Sequence, residues 1–174
     1  MIRKATQDDI IKVAGLYEKM FDYEEKTVKY TSWQRGIYPS ADTARLGVKK
    51  GSLYVLERGS EILGAVILDN YQPPEYRNIS WRSLADYGQA LVIHTLCVDP
   101  EHLCEGIGSD MIGFAKEFAR DNGCVCIRLN TTTSNIPAFN FYKRHGFAVV
   151  AEQKMLLNGQ ISCKSHTFME FKIK

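Results

Sequence analysis

No stretch of this chain approaches the roughly 20 consecutive apolar residues that cross a bilayer, so no membrane partner is expected. Met1–Asp9 is polar and lacks the apolar core of a secretory signal. Five cysteines stand at 97, 104, 124, 126 and 163. Their number is odd, and no His or Cys cluster gives them metal-ligand spacing. Without an export signal they read as reduced thiols of a cytoplasmic protein, and no metal is expected. Lysine and arginine form no block: 22 basic residues face 20 acidic ones, for a net charge of +2. Nor do aromatics repeat in a pattern that would stack bases, so no nucleic-acid partner is expected. Internal repeats, low-complexity tracts and dividing linkers are absent too. The 174 residues are therefore expected to form one domain, 1–174. A chain of this size buries roughly two-thirds of its unfolded surface.

What the chain does have is concentrated in Leu96–Ser109. An apolar run from Leu91 to Val98 reads as a buried strand that Pro100 stops. The turn Gly106-Ile107-Gly108 then opens an amphipathic stretch reaching about Asn122. The first N–H groups of a helix lack internal partners, and the macrodipole places roughly half a positive charge there. Glycine lets an anion approach the main chain because no Cβ intervenes. A strand, a glycine turn and a helix N-terminus together suit the pyrophosphate of a nucleotide-like cofactor.

The remaining elements follow from period and punctuation. Ile2–Ala5 suits a short strand. Thr6 caps a first helix from about Gln7 to Met20, whose apolar stripe is Ile10, Val13, Ala14, Tyr17 and Met20. Residues 29–36 have helical potential, and Ser40 caps a helix over Ala41–Lys49. Between them Trp33, Tyr38 and Pro39 form an aromatic loop, read first as a wedge onto the core and second as an acceptor contact. Leu53–Glu57 and Ile62–Leu68 flank the turn Arg58-Gly59-Ser60 as a hairpin. Asp69–Gly88, with Pro73-Pro74 and three tyrosines, is long enough for an acceptor-binding lid; a loose surface insertion explains it nearly as well. After the Asn122-Gly123 helix stop, Cys124–Asn130 is a strand, with Cys124 and Cys126 on one face. Asn135 caps the next helix, Pro137 occupies its first turn and Gly146 ends it. Ala148–Leu157, a turn at Asn158-Gly159 and Cys163–Ile173 close the chain as a hairpin that could pair with a second subunit as a homodimer. Strands separated by helices in the middle, with antiparallel hairpins on either side, give a mixed α/β class.

Two motifs sharpen this order. Leu96-Cys-Val-Asp-Pro followed by Gly106-Ile-Gly108, and Asn135-x-x-Ala138-x-x-Phe141-Tyr142-x-x-x-Gly146-Phe147 about 30 residues on, resemble the paired cofactor motifs of the GNAT superfamily of acyl-CoA-dependent N-acyltransferases. The resemblance covers nearly the whole chain. It implies a central mixed sheet of six to seven strands with a splayed parallel pair, flanked by about four helices. It further implies acetyl-CoA as cosubstrate, lying between the central strand and the Cys124–Asn130 strand. Main-chain groups of Leu96, Cys97 and Val98 would pair with the pantetheine arm. The N–H groups of Cys104, Glu105, Gly106, Ile107, Gly108 and Ser109 would hold the pyrophosphate. Asn135 would bond the pantetheine, and Tyr142 would lie beside the sulfur. The sequence departs from the family where the loop usually opens with Gln or Arg: Leu103 stands there, followed by Cys104 and Glu105. A carboxylate beside a pyrophosphate weakens binding unless it points to solvent.

Acyl transfer from a thioester to an amine needs a neutral amine, a polarised carbonyl and a proton for the departing thiolate. A phenol with an unperturbed pKa of about 10 is protonated at neutral pH and can donate to a thiolate whose acid form titrates near about 8.5. Tyr142 is the expected general acid. A strand N–H, of Val98 or a neighbour, would polarise the carbonyl. Some relatives carry glutamate at the position of Asn130, and an amide cannot take the amine's proton. His94 is the candidate base, with an unperturbed pKa of about 6.5. Strict alternation puts it on the face of Leu96 and Val98, where it reads as a core histidine unless a bulge changes the parity. Trp33 and Tyr38 are candidate contacts for a small-molecule amine or a peptide. The second reading is a non-catalytic acyl-CoA-binding or sensor domain of the same fold. A dinucleotide oxidoreductase fits poorly, because Met111 stands where the third glycine would be and no acidic residue ends the next strand.

Overall fold

The computed structural model describes residues 1–86, 88–157 and 160–174, with side chains described outside 155–164. The turn expected at Asn158-Gly159 lies outside the described residues. The elements are β1 (Ile2–Lys4), α1 (Ile10–Lys26), α2 (Ala41–Lys50), β2 (Leu53–Arg58), β3 (Glu61–Asp69), β4 (Ala90–Val98), α3 (Ile107–Asp121), β5 (Cys126–Thr132), α4 (Ile136–Arg144), β6 (Ala148–Leu157) and β7 (Gln160–Lys172). One seven-stranded sheet runs β1-β2-β3-β4-β5-β7-β6, and β4 with β5 is its parallel pair. The mixed α/β class and the central sheet with a parallel pair are thus both present. The chain packs as two compact units: Met1–Lys29, Trp33–Leu68 and Ile93–Ala115 in one, Tyr30–Ser32, Asp69–Val92 and Lys116–Lys174 in the other.

In the first unit, α1 and α2 bury Val13, Leu16, Tyr17, Phe21 and Ala44 against Leu53, Val55, Ala65 and Ile67 of β2 and β3. The start of α1 is built by charge. Asp9 accepts from the Thr6 N–H at 2.7 Å and from both Arg3 amino groups, at 2.6 and 2.9 Å. A 3-10 turn over Gln7–Asp9 results, and α1 proper begins at Ile10. The helix outruns its expected end at Met20 and reaches Lys26. Phe21, 4% exposed, continues the buried stripe, and the Arg35 guanidinium pairs with Glu18, Asp22 and Glu25, drawing together three carboxylates that would otherwise repel across successive turns. Residues 29–36 are not helical as expected. Gln34 and Tyr38 close a small antiparallel bridge instead, with Arg35 turned onto α1. Gly51, at φ 66°, ends α2 in the left-handed conformation that glycine adopts freely.

In the second unit, β7 lies between β5 and β6, antiparallel to both. The parallel ladder joins Ala90, Leu91 and Val92 to Cys126, Ile127 and Arg128, after which β5 continues to Thr132. The long connection after Asp69 is pinned down. Its Tyr76 and Ile79 are buried with Val92 and Phe168, and Trp81 packs against them. Tyr76 meets Trp81 at 5.1 Å and Phe168 at 5.4 Å between ring centroids. Arg128, on β5, donates to Gln72 Oε1 at 2.7 Å and to the Ser83 carbonyl at 2.9 Å, and its guanidinium lies 4.5 Å over the Trp81 ring. The inner side of that guanidinium is neutralised by Glu170 at 3.0 Å, both side chains being almost wholly buried. The described part of the segment therefore packs over the β5–β7 face.

Candidate active site

The first unit contains the first motif, the strand and glycine turn. Along β4, Ile93, Thr95 and Cys97 are buried while His94, Leu96 and Val98 are half-buried. His94 thus shares its burial with Leu96 and Val98, as alternation predicts. The strand is nevertheless kinked beside it: Thr95 has φ 47°, a conformation that a β-branched residue adopts only where surrounding packing enforces it. The Thr95 side chain faces the phenol of Tyr17, which is 1% exposed and whose pKa burial pushes well above the ordinary tyrosine value. Trp33 meets the same Tyr17 ring edge-on, at 6.4 Å. Trp33 thereby acts as the expected wedge, and Tyr38 is 38% exposed.

Beyond β4 the chain turns twice. Asp99, 2% exposed, caps a 3-10 turn by accepting from the Glu101 N–H at 3.0 Å, and binds Lys19 Nζ at 2.7 Å. Cys104 (φ 65°) and Gly106 (φ 85°) then reverse the backbone into α3. The space a Cβ would take at Gly106 is open to 4 Å, so the main chain is approachable there, and the 15-residue α3 begins immediately afterwards. Gly64, on β3, lets that first turn settle: a Cβ there would stand 2.6 Å from Met111 Sδ and 3.0 Å from Ile107 Cγ2. This arrangement fits a pyrophosphate bound by backbone N–H groups. Glu105 does not lie bare beside it. Arg58 Nη1 reaches Glu105 Oε2 at 2.7 Å and His102 Nδ1 lies 3.0 Å from Oε1. Arg58 first and His102 second hold the carboxyl below its usual range. Arg58, at the end of β2, thus neutralises the carboxylate that stands two residues after Leu103.

The second unit carries the second motif. Asn135 Oδ1 accepts from the Ala138 N–H at 3.1 Å, capping α4, and Gly146 takes φ 83° beyond the helix end. Tyr142 faces inward at 8% exposure, with Phe141 at 5.3 Å and Phe147 at 5.7 Å between ring centroids. Burial raises its pKa above the tyrosine value, so it holds its proton across the neutral range. Asn130 is wired into a chain that sequence reasoning missed. Tyr76 Oη donates to Asn130 Oδ1 at 3.0 Å, and Asn130 Nδ2 lies 2.9 Å from His166 Nδ1. The available signal was alternation in β7, where His166, Phe168 and Glu170 repeat at the period of one strand face. Among the described residues, no group of three or more His, Cys, Asp or Glu is placed to hold a metal. No helix among them is long and apolar enough to cross a membrane.

The strand, glycine turn and helix start of the first motif and the Asn135-capped helix with its buried Tyr142 are present as elements of the fold. The Acetyltransferase (GNAT) family model matches residues 14–147. An uncharacterized N-acetyltransferase of Methanocaldococcus jannaschii is 28% identical over 162 residues, covering 91% of this chain and 63% of that protein. A streptothricin acetyltransferase of Escherichia coli is 36% identical over 72 residues, 41% of this chain and 38% of that protein. The chain thus spans less than two-thirds of the length of either relative. Among solved structures, yncA of Salmonella typhimurium, determined with its cofactor acetyl-CoA, superposes with a TM-score of 0.71 over 100% of this chain and 94% of that one, at 16% identity. The chain belongs to the acetyltransferase (GNAT) family.

Proposed function

We propose that the protein is an N-acetyltransferase that moves the acetyl group of acetyl-CoA directly to a primary amine of a small molecule or peptide. The observation that carries this reading is Tyr142: a phenol buried on the Asn135-capped helix, protonated at neutral pH, in the motif context that the family uses for its acid. Backbone groups of Leu96, Cys97 and Val98 pair with the pantetheine arm. The N–H groups of Cys104, Glu105, Gly106, Ile107, Gly108 and Ser109 take the pyrophosphate at the start of α3. Because Asn135 Oδ1 is engaged by Ala138, its Nδ2 is the end that serves a pantetheine carbonyl. The N–H groups of β4 that follow the kink at Thr95, Val98 among them, would polarise the thioester oxygen. Tyr142 protonates the departing thiolate, and His94 is the base nominated by sequence. Trp33 and Tyr38 remain the candidate acceptor contacts. The proposal also includes a cytoplasmic location and a homodimer paired through the last hairpin.

A non-catalytic acyl-CoA sensor is the second reading. It is favoured by Leu103, 43% exposed where the family's loop carries Gln or Arg. Tyr142→Phe separates the two. For the enzyme, turnover falls by about 10² or more while acetyl-CoA affinity is kept, the range of a lost general acid. Unchanged turnover removes Tyr142 from the chemistry, and binding of acetyl-CoA without thiol release across an amine panel establishes the sensor.

A further inference from the structure

Two hydroxyls are left unused inside the first unit. Tyr17, on α1, is 1% exposed and Thr95, on β4, is 8% exposed. Neither Tyr17 Oη nor Thr95 Oγ1 has a hydrogen-bond partner among the described residues, although the two side chains face each other. A buried hydroxyl without a partner gives up its hydration and gains nothing in return. Phenylalanine and valine would fill the same volumes without that penalty. Thr95 carries a second cost, its φ of 47°, which a β-branched residue takes only where its surroundings enforce it. Backbone strain and orphaned hydroxyls gathered at one place mark a position kept for a ligand, at the expense of the core.

The position suits the acceptor. With the pyrophosphate at the start of α3, beyond the end of β4, a pantetheine arm running back along Val98, Cys97 and Leu96 brings its acyl end toward Thr95. Each hydroxyl oxygen can accept a hydrogen bond whatever the setting of its own hydrogen. A neutral primary amine placed against both oxygens spends its two N–H bonds there and keeps its lone pair for the acyl carbon. Around the phenol lie apolar side chains: Leu16, Phe21, Cys97 and the partly buried Trp33 belong to the cluster that contains Tyr17, and Tyr38 lies near the same hydroxyl. Trp33 covers Tyr17, meeting its ring edge-on at 6.4 Å. The segment that follows, Gln34 to Tyr38, is exposed and is held to α1 by Arg35 on Glu18, Asp22 and Glu25, none of them buried. Exposed ion pairs of this kind contribute little to stability, so the cover can lift without disturbing the core beneath it.

We propose that Tyr17 Oη and Thr95 Oγ1 seat the nitrogen of the acceptor amine, carried on an aliphatic or aromatic stem that lies against Trp33; this rests on the N-acetyltransferase reading above. The two hydroxyls bind and orient the amine.

The test is steady-state CoA-thiol release from acetyl-CoA over alkyl and arylalkyl monoamines, polyamines, amino acids, aminoglycosides and peptides. The best acceptor is expected among the monoamines. Wild type, Tyr17→Phe, Thr95→Val and Thr95→Ser are then compared with that acceptor, with Tm and calorimetric binding of acetyl-CoA measured alongside. Tyr17→Phe and Thr95→Val should each lower kcat/KM for the amine by about 3- to 10-fold, the size of one lost hydrogen bond. Acetyl-CoA affinity should be kept, and Thr95→Ser, which retains the hydroxyl, should stay near wild type. Tm should hold or rise in Tyr17→Phe and Thr95→Val, because each removes a buried hydroxyl that has no partner in the fold. A lower Tm in both variants would show that the hydroxyls serve the fold by bonding to each other, and overturns the proposal. So does a kcat/KM within about twofold of wild type in both, or a polyamine as the best acceptor; each leaves the enzyme reading intact. Should Thr95→Val fail to fold, Tyr17→Phe, which keeps the ring against Trp33, decides alone. A wild type that binds acetyl-CoA and acetylates nothing overturns both readings together.

Discussion

Replacing Glu170 by Gln should be among the most damaging single changes in the second unit. Arg128 and Glu170 meet at 3.0 Å with side chains 5% and 1% exposed, so Glu170→Gln leaves a guanidinium buried without its counter-charge. Breaking such a pair from one side costs about 3–5 kcal/mol. Arg128 would keep Gln72 Oε1, the Ser83 carbonyl and the Trp81 face, which places the expectation at the lower end, about 3 kcal/mol. For a chain of this length that lowers Tm by about 6–12 °C. The double variant Arg128→Met/Glu170→Met removes both charges and should recover part of the loss. Recovery should be incomplete because the anchor for Gln72 and Ser83 is gone too. Urea unfolding of wild type, both single variants and the double gives the coupling energy directly. Hydrogen exchange should show faster opening around Gln72–Ser83 in every variant. A Glu170→Gln variant within about 1 kcal/mol of wild type, or additive effects in the cycle, would refute the argument that the pair clamps the connection.

Two further changes address the Gly106 turn. Gly64→Ala forces Met111 and Ile107 away from a Cβ that would stand 2.6 and 3.0 Å from them. Met111 can swing aside but the buried Ile107 cannot, so stability should fall by about 1–3 kcal/mol and acetyl-CoA should bind several-fold more weakly, both read by calorimetry. Unchanged affinity would show that the start of α3 is not part of the site. Arg58→Ala should weaken acetyl-CoA several-fold, more at low salt than at high, by releasing the Glu105 charge. Adding Glu105→Gln should restore most of the affinity, and a double variant no better than Arg58→Ala would show that Arg58 acts otherwise.

Local chemistry made the Gly106 turn and α4 legible. Gly106, Asn135, Pro137 and Gly146 each specify a backbone state with little help from elsewhere, and each occupies the expected turn or cap. The class and sheet were legible for the same reason, since strand and helix periods are local. What escaped depends on partners distant in sequence. The last turns of α1 are tied by Arg35, from the loop that follows. The 69–88 connection looked loose because Arg128, which anchors it, lies some 45 to 56 residues downstream. Asn130 read as a missing base because its partners Tyr76 and His166 are 54 and 36 residues away. Glu105 read as a liability because Arg58, 47 residues earlier, could not be assigned to it. Pairs of this kind are made by sheet order, and sheet order is what a one-dimensional pattern specifies least.

Amine-dependent transfer from acetyl-CoA is tested most directly by mass-resolved product formation with CoA-thiol release over a broad amine panel. Acetyl-CoA should bind saturably, with one thiol released per acetylated amine for at least one acceptor. In Tyr142→Phe, binding should be kept and release suppressed. Tight acetyl-CoA binding with no amine acetylated, in wild type as in the variant, would contradict amine-dependent transfer.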